Sequence, residues 1–137
     1  MEFIVDTCIV IDYFQKKPQS SEVFRRLLKS HSVFFSSITV FELYVGIKPE
    51  TRRSELLDAL VELVRVLSFD TICAKEAADI ERDLRDRGEV ISPKDIMIAA
   101  TGIVHDMPIL TSNIQHFNRL KTLVLYDAKS VLDILSQ

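Results

Sequence analysis

Asp6, Glu42 and Asp95 are each the lone acid of a short apolar stretch: Phe3-Ile4-Val5-Asp6, Val40-Phe41-Glu42-Leu43-Tyr44-Val45 and Asp95-Ile96-Met97-Ile98-Ala99-Ala100. Burying an ionised carboxylate without a partner costs several kcal/mol or more. Lys94 is the only adjacent cation, and one lysine cannot neutralise three acids. Carboxylates meeting at about 5 Å repel by roughly 3 kcal/mol per pair at an effective dielectric of 20. Three such pairs would rival the 5–15 kcal/mol net stability typical of a small domain. Without a cation, one or more acids would have to protonate. A shared divalent ion is the simplest remedy, and an all-oxygen site suits Mg²⁺ or Mn²⁺ rather than zinc. Asp70 and Asp127 also follow apolar runs, and composition gives no reason to exclude them.

Each acid has a plainer reading as well. Thr39-Val40-Phe41-Glu42 has capping-box spacing, Ser92-Pro93-Lys94-Asp95 is a close variant, and Asp6 can cap a helix starting near Thr7. A cap contributes roughly 1 kcal/mol and needs no metal. As a set, however, two of the acids stand in the first turns of strongly apolar helices and the third directly follows an apolar strand. Helices apolar all round are buried, which places Glu42 and Asp95 towards the interior.

The elements that would position these acids follow from periodicity. Strands are expected at Phe3–Val5, Val33–Phe35, Val66–Phe69, Pro108–Leu110 and Leu123–Tyr126. None alternates cleanly, as in parallel sheets covered on both faces. Helices are expected at Cys8–Phe14, Ser21–Lys29, Thr39–Ile47, Arg52–Arg65, Ile72–Arg87, Pro93–His105 and Ala128–Leu135. Gly88 fits a C-terminal cap. Strands separated by helices give an α/β layer structure with right-handed crossovers, whose ligands bind beyond the carboxyl ends of the strands. Asp6 follows the first strand, Glu42 the second, Asn113 the fourth, and Asp95 opens a helix, so all four can face one sheet edge. At i+4 and i+7 from Asp95, Ala99 and Gly102 would let that helix approach the sheet closely.

The chain has 137 residues, 47% hydrophobic and 27% charged, with a net charge of −3. That suits one domain spanning 1–137. No apolar run approaches the roughly 20 residues that span a bilayer, and Met1-Glu2-Phe3 lacks the basic start of a cleaved signal, so a cytoplasmic protein is expected. Cys8 and Cys73, both in apolar contexts, read as small buried hydrophobes rather than a disulfide. The negative charge argues against strong general affinity for nucleic acid, although a bound metal reverses the sign locally. Asp12 reads as a surface acid four residues before Lys16, and His105 as a helix-closing residue. His116 is the only histidine near the acids. The stretch Arg52–Arg65 carries more apolar surface than one face requires, which suits a dimer seam or a partner groove.

The segments Asp6-Thr7-Cys8-Ile9-Val10-Ile11-Asp12, Ser37-Ile38-Thr39-Val40-Phe41-Glu42-Leu43, Asp95-Ile96-Met97-Ile98-Ala99-Ala100 and Ile109-Leu110-Thr111-Ser112-Asn113-Ile114-Gln115-His116-Phe117, in this order, resemble PIN-domain ribonucleases, specifically the VapC-type toxins of toxin–antitoxin pairs. The resemblance covers essentially the whole chain. It implies a three-layer α/β/α sandwich around a central parallel sheet of four to five strands. It also implies Mg²⁺- or Mn²⁺-dependent endoribonuclease activity, with tRNA or ribosomal RNA as substrate. The family's acid site falls on Asp6, Glu42 and Asp95, in preference to Asp70 and Asp127. Asp6 and Asp95 would hold the metal, Glu42 would handle the attacking water, and Asn113 would orient phosphate. A VapB-type antitoxin and a second copy of the chain are the implied partners. One departure stands out: Asn113 occupies the place of a fourth acid, which favours one tightly held ion over two and keeps open a non-catalytic PIN module that binds RNA or a protein partner. A haloacid-dehalogenase phosphatase would need an acid where Cys8 stands. A receiver domain would need paired acids after the first strand and a lysine after the fifth, and neither is present.

Overall fold

A computed structural model describes residues 1–120 and 122–137. Five parallel strands form one sheet in the order β3-β2-β1-β4-β5: β1 (Phe3–Val5), β2 (Val33–Ser36), β3 (Arg65–Leu67), β4 (Ile109–Leu110) and β5 (Leu125–Tyr126). The described helices are α1 (Thr7–Phe14), α2 (Pro18–Lys29), α3 (Ser37–Gly46), α4 (Arg52–Leu63), α5 (Thr71–Asp86), α6 (Pro93–Val104), the short α7 (Ile114–Phe117) and α8 (Ala128–Leu135).

Strand alternation sends successive side chains to opposite sheet faces. Phe3, Val5, Val33, Phe35 and Leu110 pack with Ile9, Val10, Val23, Phe24, Leu27, Leu57, Leu60 and Val131, which places α1, α2, α4 and α8 on one face. Ile4, Phe34 and Ile109 point the other way, to Ile98 of α6. A neighbouring cluster adds Ala77 and Leu84 of α5 and Phe117 of α7. The result is the expected α/β/α sandwich with five strands. The strand order reverses between β1 and β4, and that switch point is where open α/β sheets bind ligands.

Several boundaries differ from expectation. α2 begins at Pro18 rather than Ser21, with proline at its first helical position. β3, β4 and β5 are shorter or shifted by one or two residues, because pairing with neighbours trims apolar runs whose ends bend into loops. α3 starts at Ser37, capped by the Ser36 hydroxyl, which accepts the Ile38 N–H. Thr39 is therefore inside the helix and the Thr39–Glu42 capping box does not form. Ser92 is the N-cap of α6, but its side chain makes no capping bond. α7 was not legible from periodicity, since four residues make only one turn. Asp12 pairs with Lys17 at 3.3 Å and accepts from Ser20, not with Lys16, which has left the helix with φ 59°. Gly88, with φ +68°, closes α5 as expected: the Glu89 N–H donates to the Leu84 carbonyl at 2.8 Å.

The close approach of α6 to the sheet is visible at Gly102. A Cβ there would lie 3.1 Å from the Met107 carbonyl oxygen and 3.1 Å from Ile109 Cδ1. A backbone oxygen cannot yield as a flexible side chain can. Gly102→Ala should therefore cost about 1–3 kcal/mol by overpacking, despite the better helix propensity of alanine. Thermal melts check this. A variant as stable as the parent would show that α6 is not held against β4.

Candidate active site

The site is built around the end of β1. Asp6 is 3% exposed, and its backbone N–H donates to the Leu110 carbonyl at 2.9 Å. Its carboxylate caps α1: Oδ1 accepts the Thr7 N–H at 2.8 Å, and Oδ2 accepts the Thr111 hydroxyl at 2.8 Å and the Cys8 thiol at 3.3 Å. The capping reading of Asp6 is thus met, on the same side chain that is the candidate metal ligand. Burial pushes its pKa above the ordinary carboxylate range; the hydrogen bonds from Thr111, Cys8 and Thr7 oppose that, and the charge of Asp95 adds to it. Asp6 and Asp95 are therefore close enough to sense each other.

Thr7 links the second acid. Its hydroxyl donates to Glu42 Oε1 at 2.8 Å and lies 3.3 Å from the buried Thr39 hydroxyl. Because α3 starts two residues earlier than expected, Glu42 sits in its second turn, half-buried, where it also borders a small hollow of about 150 Å³ with Ile11 and Arg53. α3 itself is not buried all round. Thr39 and Leu43 face inward, but Phe41 is 56% and Val45 71% exposed. An apolar helix is left with an uncovered face, and the expectation that burial surrounds Glu42 is corrected accordingly.

Asn113 is joined to the same network from β4. Its backbone N–H donates to Thr111 Oγ1 at 2.9 Å, so the Thr111 hydroxyl bonds Asp6 and Asn113 together. Asn113 is exposed, and as N-cap of α7 its side chain makes no capping bond, which leaves the amide available to a ligand. His116, on α7, places Nδ1 3.3 Å from Asp95 Oδ2. Asp70 and Asp127, by contrast, cap α5 and α8 through the N–H groups of Cys73 and Ser130, which hold both carboxyls below the usual range.

Two further side chains join the site: Cys8, which reads in the sequence as a buried hydrophobe, and His116, which the sequence marks only as the histidine near the acids. Cys8 is not an inert core residue. Its sulfur lies between Asp6, the Thr111 hydroxyl (3.5 Å) and the Ser112 N–H (3.4 Å), and burial followed by the Asp6 charge pushes the thiol pKa up. His116 touches Asp95, a contact that depended on the unforeseen α7.

Among the described residues, no lysine or arginine forms an ion pair with Asp6, Glu42 or Asp95. Nor do three or more His, Cys, Asp or Glu side chains form a compact metal nest. The acids are thus looser than three carboxylates meeting at one point, because Thr7 stands between Asp6 and Glu42. The Asp95 charge bears on the Asp6 carboxyl, which the Thr111 hydroxyl also contacts. Magnesium is typically held by one or two carboxylates plus waters and substrate phosphate, so this donor set fits such an ion.

The sequence matches the PIN domain family over residues 3–123, and the chain belongs to that family. It is 34% identical over 128 residues to Ribonuclease VapC1 of Methanocaldococcus jannaschii, covering 92% of this chain and 88% of the relative. It is 30% identical over 124 residues to the tRNA(fMet)-specific endonuclease VapC of Shigella flexneri, covering 88% and 92%. The fold matches a crystal structure of VapBC2 from Rickettsia felis bound to a DNA fragment from their promoter, with TM-score 0.81 and 23% identity over 93% of this chain and 98% of that one.

Proposed function

We propose that this chain is a divalent-metal-dependent endoribonuclease acting as the toxin of a toxin–antitoxin pair. The observation that carries this reading is the buried Asp6 at the switch point of the sheet, without a lysine or arginine partner among the described residues and raised in pKa by burial and by Asp95. Its kinship with ribonucleases of the VapC group supplies the substrate class.

Asp6 and Asp95 would hold Mg²⁺ or Mn²⁺, which when bound supplies charge that stabilises the phosphoryl oxygens and makes water more acidic. Glu42, kept in place by the Thr7 hydroxyl, accepts a proton from the attacking water. The Asn113 side-chain amide orients the scissile phosphate, and Thr111, which accepts the Asn113 backbone N–H, ties that residue to Asp6. His116 holds Asp95 from the open side.

The antitoxin partner has a natural berth in a groove of about 700 Å³ between α1, α2 and α4. Its floor is Leu28, Leu56, Leu60 and Leu63, and its rim carries Lys16, Arg52 and Arg53. This absorbs the apolar excess of α4 and suits an amphipathic, acid-bearing segment. Pairing with a second copy is proposed on the remaining exposed apolar surface, such as Val45, and sedimentation tests it. No helix among the described residues is long and apolar enough to cross a membrane. A cytoplasmic site of action is proposed, because that is where tRNA and ribosomal RNA reside.

Antitoxin-free protein incubated with RNA and Mg²⁺ or Mn²⁺ should cleave, EDTA should abolish cleavage, and Asp95→Asn should remove it while the fold survives. Cleavage unaffected by EDTA would refute the metal. RNA or partner binding without any cleavage would establish the non-catalytic module instead.

A further inference from the structure

Phe41 and Lys94 lie outside the hydrogen-bonded network of the acids, yet each directly precedes one of them in sequence, Phe41 before Glu42 and Lys94 before Asp95. The packing of α3 beside α6 brings the pair together, with Lys94 Nζ 5.8 Å from the Phe41 ring centroid. Phe41 is 56% exposed, on the face of α3 opposite its inward-facing Thr39 and Leu43. Lys94 is exposed too, and among the described residues it makes no ion pair, since the contact of Asp95 is with His116. An open aromatic ring and an uncommitted ammonium thus border two of the site's acids.

Neither residue is explained by packing. An exposed phenylalanine gains little from burial, and the lysine over its ring is a weak partner that solvent competes for. Together they match the two surfaces of an unpaired nucleotide: an aromatic face for the base and a cation for the phosphate. A duplex would not fit this use, because its bases are stacked on one another and present only edges.

We propose that Phe41 and Lys94 form a platform for one unpaired nucleotide of the RNA substrate, the base stacking on Phe41 and an adjacent phosphate pairing with Lys94. This rests on the ribonuclease reading above and specifies its substrate as single-stranded at that position. The platform fixes the strand next to Glu42 and Asp95, so it acts on substrate binding and register rather than on the chemical step. The overall negative charge of the chain makes a local cation beside the acids more valuable.

The test uses the full antitoxin-free chain and a labelled single-stranded 12-nucleotide RNA, with its duplex as the control. Binding is followed by fluorescence anisotropy in EDTA, and steady-state cleavage is measured with metal. Phe41→Ala and Phe41→Leu are expected to weaken single-strand binding roughly 10- to 100-fold, while Phe41→Trp keeps or improves it. The same loss should fall on KM, with kcat changed little. Lys94→Gln should weaken binding and lower the salt-dependence slope by about 0.7, the value for one phosphate contact on a single strand. Leucine serving as well as phenylalanine, or equal losses on duplex and single strand, would overturn the platform. So would Phe41→Ala altering the sedimentation coefficient while affinity per protomer is unchanged, which would make Phe41 part of a seam between copies. These failures leave wild-type cleavage intact and so differ from failure of the ribonuclease reading, in which the wild-type chain cleaves no RNA and the platform falls with it.

Discussion

Replacing Asp6 by asparagine is expected to abolish RNA cleavage and, in metal-free protein at neutral pH, to raise the melting temperature. The two effects share one cause. Asp6 is buried and its pKa stands above the ordinary 3.8, chiefly through desolvation. The folded state then binds the Asp6 proton more tightly than the unfolded state does. Ionising it costs stability, a cost absent below about pH 3.8 and fully present above the raised folded pKa. Asparagine removes the charge but keeps an oxygen for the Thr7 N–H, and it is a good N-cap. The stabilisation should therefore shrink as the pH falls towards the acid range. Divalent ion should reverse the order: at about 100 times its dissociation constant it adds roughly 2.7 kcal/mol to the wild type and little to Asp6→Asn. Cleavage should fall on the order of 10³-fold, equivalent to about 4 kcal/mol in the barrier. Melting curves with and without Mn²⁺, at two pH values, measure the first effect and a gel assay the second. A variant less stable than wild type at neutral pH in EDTA would show that Asp6 is not a charge awaiting a counterion.

Thr111→Val should be the second most damaging change, although Thr111 carries no charge. The residue is fully buried, and its hydroxyl donates to Asp6 Oδ2 while accepting the Asn113 N–H. Valine has nearly the same shape but neither function. A hydrogen bond to a charged group contributes about 1.5–3 kcal/mol, so stability at neutral pH should fall by that order. Of the interactions that lower the Asp6 pKa, the Thr111 hydrogen bond is the largest. Its removal lets burial push the pKa higher still. If cleavage requires ionised Asp6, the acidic limb of the pH–rate profile must move to higher pH, an effect that mere loosening of the fold does not produce. Thr111→Ser should restore the limb. A profile that keeps its position while only its height drops would assign Thr111 a purely structural part.

Gly102→Ala bears on the same site from the other side. It tests whether the seat of Asp95 depends on α6 lying hard against β4.

The central strands were legible because residues such as Phe3–Val5 and Val33–Phe35 are buried on both faces and leave an unbroken apolar mark. α6 was legible for a related reason: Ala99 and Gly102 fall on one helical face at the spacing that a close approach to the sheet needs. The start of α3 was not. Ser36 and Thr39 are both good caps, and the choice between them was made by where β2 stops pairing with β3. α7 left no periodic trace, and with it went the contact between His116 and Asp95.

By itself the sequence determined which acids stand at the ends of apolar elements and, through the order of its motifs, the family. Local pattern records burial and turn chemistry, and those are properties of near neighbours. Only the tertiary structure decided how the acids relate: Thr7 placed between Asp6 and Glu42, Thr111 tying Asp6 to Asn113, and Cys8 drawn into the site. The two contacts that bridge separate elements, Thr7 to Glu42 and Thr111 to Asp6, join residues 35 and 105 positions apart. Sheet order sets them, and no periodicity along the chain encodes it.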